Sequence, residues 1–209
     1  TGLTLSDEQA RLARERASAA GVGDRVEITM LDYRQVRGEF DSIASVEMLE
    51  AVPHEQIGGF LGACDRLLAR DGRACIQTIA IPDHRYERYR RGTDWIREYI
   101  FPGGNIPSLE AIVRAMSART GLVVEELENI GPHYADTLAE WRSRFLANQD
   151  AARQMGYDEA FIRAWDYYLA FSQAGFRTGA ILDYQILFGR PFAPRAARSA
   201  DAGARAEAT

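Results

Sequence analysis

Short apolar runs alternate with longer stripes of helical period along this chain. Thr1 to Leu5 is a brief β-type run. Ser6, followed three residues later by Gln9, forms a capping-box signature and predicts a helix to about Ala20, with Leu12 and Ala19 on its buried side. Gly21 and Gly23 end that helix. Val26 to Met30 and Asp41 to Val46 predict two more strands. From Pro53 to about Ala69, residues Ile57, Phe60, Leu61, Cys64 and Leu67 recur at helical spacing. Asp71-Gly72 reads as a turn and Arg73 to Ile79 as a fourth strand. Ser108 caps a helix to about Arg119, and Gly121 to Ile130 returns to β character. Tyr134 to about Gln149 and Asp158 to about Phe176 are helical, and Ala180 to Phe188 is a last strand. From Pro191 apolar periodicity stops, and Arg195 to Thr209 reads as a disordered tail. Strands alternating with helices of this length predict βαβ units, hence an α/β fold with a parallel sheet over residues 1 to about 190.

Composition narrows the classes. The chain has 209 residues, 46% of them hydrophobic, enough for one domain with a normal core. Every basic residue is arginine, and the net charge of -5 gives no footprint for nucleic acid. Cys64 and Cys75 stand in no metal-ligand spacing, so no metal site is expected and both read as small hydrophobes. No run approaches the length of a membrane span.

The chemistry concentrates where Asp41 to Val52, DSIASVEMLEAV, leaves its strand. Ligands of open α/β sheets bind beyond the carboxyl ends of strands, and Glu47 and Glu50 stand there. Glu50 is the stronger candidate; its bland alternative is a carboxylate favoured by a helix N-terminus. His54 is four residues on, but Pro53 intervenes and a surface histidine is the plainer reading. Thr4, Leu5 and Gln9 at the first strand-to-helix junction suit a nucleotide, although a simple helix cap has the same pattern. Asp32 and Tyr33 follow the next strand, where an acid can take an adenine amino group and a ring can stack. The alternative is a turn with an exposed tyrosine. Asp83 to Phe101 interleaves Arg85, Arg88, Arg90 and Arg91 with Tyr86, Tyr89, Trp95, Tyr99 and Phe101. A solvated arginine helix is the default, but this aromatic content suits a lipid headgroup interface. Trp165, Tyr168, Ser172 and Phe176 form a helical stripe whose ordinary use is core packing, and which could equally wall an acyl chain.

Six stretches carry a family resemblance: TGLTLSDEQ (1–9), MLDYRQV (30–36), FDSIASVEMLEAV (40–52), YIFPGGNIPS (99–108), GPHYADTLAEWRSRF (131–145) and YYLAFSQAGFRTG (167–179). Together they resemble the cyclopropane fatty acid synthases and mycolic acid cyclopropane synthases, over residues 1 to about 190. The resemblance implies a class I methyltransferase (Rossmann-like) sheet, mostly parallel, with one antiparallel strand near the C-terminal edge and a helical insertion over about 83–119. It implies S-adenosylmethionine as cofactor at Thr4, Leu5, Gln9, Asp32 and Tyr33. It also implies a bicarbonate ion held by Glu50, Tyr134 and the Ile79 backbone. The implied reaction is methyl transfer to a cis double bond of an acyl chain, giving a carbocation that loses a proton to bicarbonate as a cyclopropane ring closes. Tyr86, Trp95, Tyr99, Phe101, Tyr168 and Phe176 would face the substrate. The implied partner is an unsaturated acyl lipid at the inner face of the membrane, met by a cytoplasmic, peripheral protein, with a homodimer as one option.

Three departures qualify the resemblance. Gln77 stands where the family often has a histidine that donates to bicarbonate; an amide donates a hydrogen bond but carries no proton. Glu47 stands where the family often has glycine and adds a negative charge near the cofactor. The Gly-rich loop that carries the cofactor's amino-acid moiety is absent from these residues, and its strand and the N-terminal substrate region are expected upstream of Thr1. Two alternatives therefore stay open: a fatty-acid or small-molecule C-methyltransferase with a methyl-branched product, and a non-catalytic lipid-binding fragment.

Overall fold

A computed structural model describes residues 1–191, so the predicted tail at Arg195 to Thr209 lies outside the described residues. β1 (Gly2–Thr4) leads into α1 (Asp7–Ala19). The Ser6 hydroxyl accepts from the Gln9 backbone amide at 3.3 Å, so the predicted cap forms. β2 (Ile28–Met30) pairs parallel with β1 in a two-stranded sheet. Within α1 only Ala10 is buried. Leu12 and Ala19 are exposed, contrary to the sequence reading, because so narrow a sheet offers the helix little surface to cover.

The second sheet has four strands in the order β3-β4-β6-β5: β3 (Phe40–Val46), β4 (Leu68–Ala80), β6 (Leu182–Gly189) and β5 (Val123–Asn129). β3 and β4 are parallel, and β6 runs antiparallel to both β4 and β5. The expected antiparallel strand is therefore present, one position in from the edge. The turn expected at Asp71-Gly72 is a bulge inside β4 instead. Pairing slips from Phe40 opposite Leu68 to Ser42 opposite Arg73. Gly72 is required there, since a Cβ would come within 2.8 Å of the Asp41 carbonyl oxygen.

Strand alternation divides the sheet's two faces. Ala74, Ile76, Ile186 and Phe188 pack with Phe60 and Leu61 of α2 (Ile57–Leu67) and with Ile112 and Met116 of α5 (Leu109–Arg119). α5 thus belongs to the main core, and the segment that stands apart from the sheet is shorter than the expected 83–119 insertion. It comprises α3 (Asp83–Arg90) and α4 (Trp95–Tyr99). On the other side Ile79 packs under α6 (Gly131–Ala147) and α8 (Glu159–Arg177), with Ala135, Leu138, Leu169 and Phe176. A short α7 (Gln149–Gln154) links those two helices.

β4 and β6 pair Gln77 with Gln185 and Ile79 with Asp183. Directly opposed residues of an antiparallel pair point to the same face. The pairing therefore aligns two amides and a carboxylate under α6, at the carboxyl end of β4.

Candidate active site

The loop after β3 turns back over the end of β4. Its first residue, Glu47, has φ +49°, a left-handed conformation that favours glycine. The turn is pinned by Glu47 N–H donating to the Gln77 carbonyl at 2.9 Å and by Asn105 N–H donating to the Glu50 carbonyl at 2.7 Å. Both loop carboxylates are thereby aimed at the carboxyl end of β4.

Glu50 Oε1 accepts from the Ile79 backbone N–H at 2.5 Å and from the Thr78 hydroxyl at 3.0 Å. Its Oε2 is buried, with no hydrogen-bond partner among the described residues. Burial raises the Glu50 pKa, and the Glu47 charge adds to the shift against its backbone and hydroxyl donors. Glu47 Oε2 accepts from the Tyr134 hydroxyl at 3.0 Å, and its Oε1 accepts from Gln77 Nε2 at 3.1 Å. The same Nε2 donates to Asp183 Oδ2 at 3.2 Å, while Gln77 Oε1 accepts from Gln185 Nε2 at 2.9 Å. Gln77 is thus held on both ends of its amide.

Asp183 is completely buried, and its Oδ1 has no partner among the described residues. Burial pushes its carboxyl up to about 7; the charges of Glu47 and Glu50 add to this and the Gln77 hydrogen bond opposes it. The Tyr134 ring stacks on Phe176 at 4.8 Å. Burial, followed by the Glu47 charge, raises the Tyr134 phenol, so it stays protonated as a donor.

The predicted quartet Glu50, Gln77, Ile79 and Tyr134 therefore does converge, but around two carboxylates given smaller roles or none. Asp183 is not among the residues the sequence predicts for the site. Its sequence signal is an acid within the apolar run Ile181-Leu182-Asp183-Tyr184-Gln185-Ile186. Among the described residues every donor to the three carboxylates is neutral. Such a site attracts cations and repels anions.

These residues do not fit a bicarbonate ion. The donors expected to hold it, Gln77 Nε2, the Tyr134 hydroxyl and the Ile79 N–H, are already engaged by Glu47, Asp183 and Glu50. A further anion would sit among three carboxylates with no free donor from this set.

On the far side of the same loop lies a groove of about 660 Å³ between β1 and β3. All five predicted cofactor residues, Thr4, Leu5, Gln9, Asp32 and Tyr33, line it, together with Val46, Met48 and Val52. The loop is thus shared by the groove and the carboxylate cluster. The Thr4 hydroxyl donates to Gln9 Oε1 at 2.8 Å. Asp32 is held by Arg34 through contacts of 2.6 and 2.9 Å, which bring its carboxyl down to about 2. The Tyr33 ring is half-buried, edge-on to Phe60 at 5.3 Å, so it is not the exposed tyrosine of the bland reading. The groove's lining fits a nucleoside: an ionised acid, an aromatic ring and paired hydroxyl and amide groups.

The substrate-side candidates divide. Phe176 and Tyr168 border the cluster, and Phe101 packs edge-on against Tyr168 at 5.8 Å. Trp95 contacts Tyr99 and Tyr167, while Tyr99 and Phe101 are 66% and 53% exposed. These rings form a surface leading from the cluster. Tyr86 is not on that surface. It is buried, and its hydroxyl hydrogen-bonds His54 Nδ1 at 2.5 Å. His54 is accordingly half-buried, neither a free surface histidine nor a partner of Glu50. Part of the arginine charge of α3 is neutralised as well, since Arg90 and Arg91 both pair with Glu87.

Comparison with known proteins identifies the family and the fold. The family model described as mycolic acid cyclopropane synthetase matches residues 1–186. The chain is 46% identical over 183 residues to the tuberculostearic acid methyltransferase UfaA1 of Mycobacterium tuberculosis, an alignment covering 88% of this chain and 43% of that protein. It is 34% identical over 194 residues to the cyclopropane-fatty-acyl-phospholipid synthase of Escherichia coli, covering 90% and 47%. The chain thus spans about half the length of the curated relatives it matches. Among solved structures, the mycolic acid cyclopropane synthase CmaA1 complexed with SAH and CTAB superposes with a TM-score of 0.76 at 28% identity, covering 90% of this chain and 68% of that one. The mixed sheet with its flanking helices is therefore the α/β methyltransferase fold.

Proposed function

The chain belongs to the mycolic acid cyclopropane synthetase family, and from that premise we propose that it serves S-adenosylmethionine-dependent methyl transfer to the cis double bond of an unsaturated lipid acyl chain. When bound, the cofactor supplies an electrophilic methyl group. Asp32 and Tyr33 hold the adenine end, and Thr4, Leu5 and Gln9 hold the ribose. An olefin is a weak nucleophile and leaves a cation behind once it is methylated. Glu50, Glu47 and Asp183, with the Tyr134 and Phe176 rings beside them, stabilise that cation. Their fixed donors hold this charge distribution before reaction begins. Trp95, Tyr99, Phe101 and Tyr168 guide the acyl chain, and the exposed rings among them meet the lipid surface. Among the described residues no helix is long and apolar enough to cross a membrane, and surface attachment needs none. The single observation that carries this reading is the cluster of three buried or half-buried carboxylates, all served by neutral donors.

Loss of one proton from the cation completes the reaction, and closure to a cyclopropane ring is the first reading. A methyl-branched product that keeps a double bond, as a methylene group or a shifted alkene, is the second. It is favoured by Gln77, whose amide cannot carry a proton, and by the 46% identity to a protein named as a tuberculostearic acid methyltransferase.

Incubation of the full-length protein with methyl-labelled cofactor and unsaturated phospholipid, followed by mass spectrometry and proton NMR of the acyl chains, tests both readings. Label with high-field ring protons supports closure. Label with retained olefinic protons supports the second reading. Absence of label from the lipid rejects acyl-chain methylation.

A further inference from the structure

The misfit between this site and bicarbonate identifies a residue for the proton-removal step. We propose that Glu47 takes the proton from the methylated cation, a carboxylate built into the chain in place of a bound anion. This inference rests on the methyl-transfer reading of the site.

Three observations carry it. First, Glu47 is held at φ +49°, where glycine is unstrained and a side chain costs conformational energy. A carboxylate kept at such a position indicates a use for it. Second, its two oxygens occupy the Tyr134 hydroxyl at 3.0 Å and Gln77 Nε2 at 3.1 Å, the donors that would otherwise receive a planar oxyanion. Third, Gln77 cannot serve as base, and the rest of its amide is committed to Asp183 and Gln185. Asp183, wholly buried with Oδ1 unpartnered, has Gln77 as its one side-chain donor among the described residues, so it holds the Gln77 amide in place behind Glu47.

The step balances without any further reactant. The olefin's electron pair forms the bond to the methyl carbon as the carbon–sulfur bond breaks, leaving neutral S-adenosylhomocysteine and a carbocation. A C–H bond on or next to the new methyl group then breaks. Its electron pair closes the ring or forms a double bond, and the proton passes to the Glu47 carboxylate, which becomes neutral. The acid returns the proton to solvent between turnovers.

Glu47→Gly is the decisive variant, because glycine adopts the left-handed conformation freely and the fold is retained. In the full-length protein, binding of ¹³C-labelled bicarbonate is followed by NMR. Glu47→Gly is expected to bind it, the parent is not, and Tyr134→Phe added to Glu47→Gly weakens the binding. Equal binding by parent and variant, or none by either, overturns the proposal. Turnover in carbonate-free buffer gives the second readout. The parent is expected to keep full activity, while Glu47→Gly loses at least about 100-fold, in line with removal of a general base, and recovers on addition of bicarbonate or formate. A parent that needs bicarbonate, a variant with parental turnover in carbonate-free buffer, or a lost activity that neither anion restores overturns the proposal. A parent without turnover under any condition rejects the methyl-transfer reading itself, and the binding comparison still decides what Glu47 displaces.

Discussion

The two sides of the loop at Glu47–Pro53 are built differently. On the cluster side, strands β3, β4 and β6 are hydrogen-bonded across their length, and the helices above them bury Phe176, Leu138 and Leu169. Each carboxylate is held by contacts from elements far apart in sequence. On the groove side, among the described residues, β1 and β2 pair only with each other. α1 buries one residue, and Leu3, Leu5, Leu12 and Met30 remain exposed. The polar groups there are held by neighbours within a few residues, such as Asp32 by Arg34 and Thr4 by Gln9. One side is preorganised by tertiary packing, while the other is a set of local caps around an open groove. A reaction through a cation needs the first kind of site for its charge distribution. A nucleoside that brings its own surface can complete the second.

Removing one large apolar side chain from each side should affect the two very differently. Phe188 is fully buried between β4 and β5, and Phe188→Ala is expected to cost about 3–5 kcal/mol. Leu5 is 74% exposed, and Leu5→Ala is expected to stay within about 0.5 kcal/mol. Urea unfolding of both variants measures the pair, and equal losses would erase the distinction. Native-state hydrogen exchange addresses the same contrast without mutation. Amides of β1 and β2 are expected to exchange through local opening, and those of β4 and β6 only at or near global unfolding.

A smaller effect is expected with pH. Asp183 has its pKa raised from 3.8 to about 7, so between those values the folded state holds a proton that the unfolded chain releases. Stability should therefore fall as pH rises through about 4 to 7 and level off above. Glu50 is shifted in the same direction. Asp183→Asn is expected to reduce that slope, as read from urea midpoints across the range. An unchanged slope would mean that the folded site accommodates the Asp183 charge.

The same contrast explains which features were legible in the sequence. The Ser6 cap, the Ser108 cap, the helices and most strands depend on local patterns, and they form close to where those patterns put them. The loop carboxylate Glu50 was also visible, because a charge at the end of an apolar run is itself a local signal. The Asp71-Gly72 turn was misread because its role is set by close approach of the Asp41 carbonyl from another strand. Asp183 and Gln185 were missed for a related reason. Only the antiparallel register of β4 and β6, which joins residues more than 100 positions apart, brings them against Gln77. Aromatic content alone suggests a substrate contact at Tyr86 because it carries no information about which way a helix faces; the pairing of Tyr86 with His54 does.

Glu50→Gln decides whether a fixed carboxylate cluster stabilises the cationic stage of methyl transfer. The substitution removes the charge but keeps an acceptor for the Ile79 amide, so folding should be retained, as a urea midpoint can check. Label transfer from methyl-labelled S-adenosylmethionine to unsaturated phospholipid by the full-length protein is expected to fall by about 10²–10³-fold. Near-parental transfer by a correctly folded Glu50→Gln protein would remove Glu50 from the mechanism and leave the cation without need of a fixed carboxylate cluster.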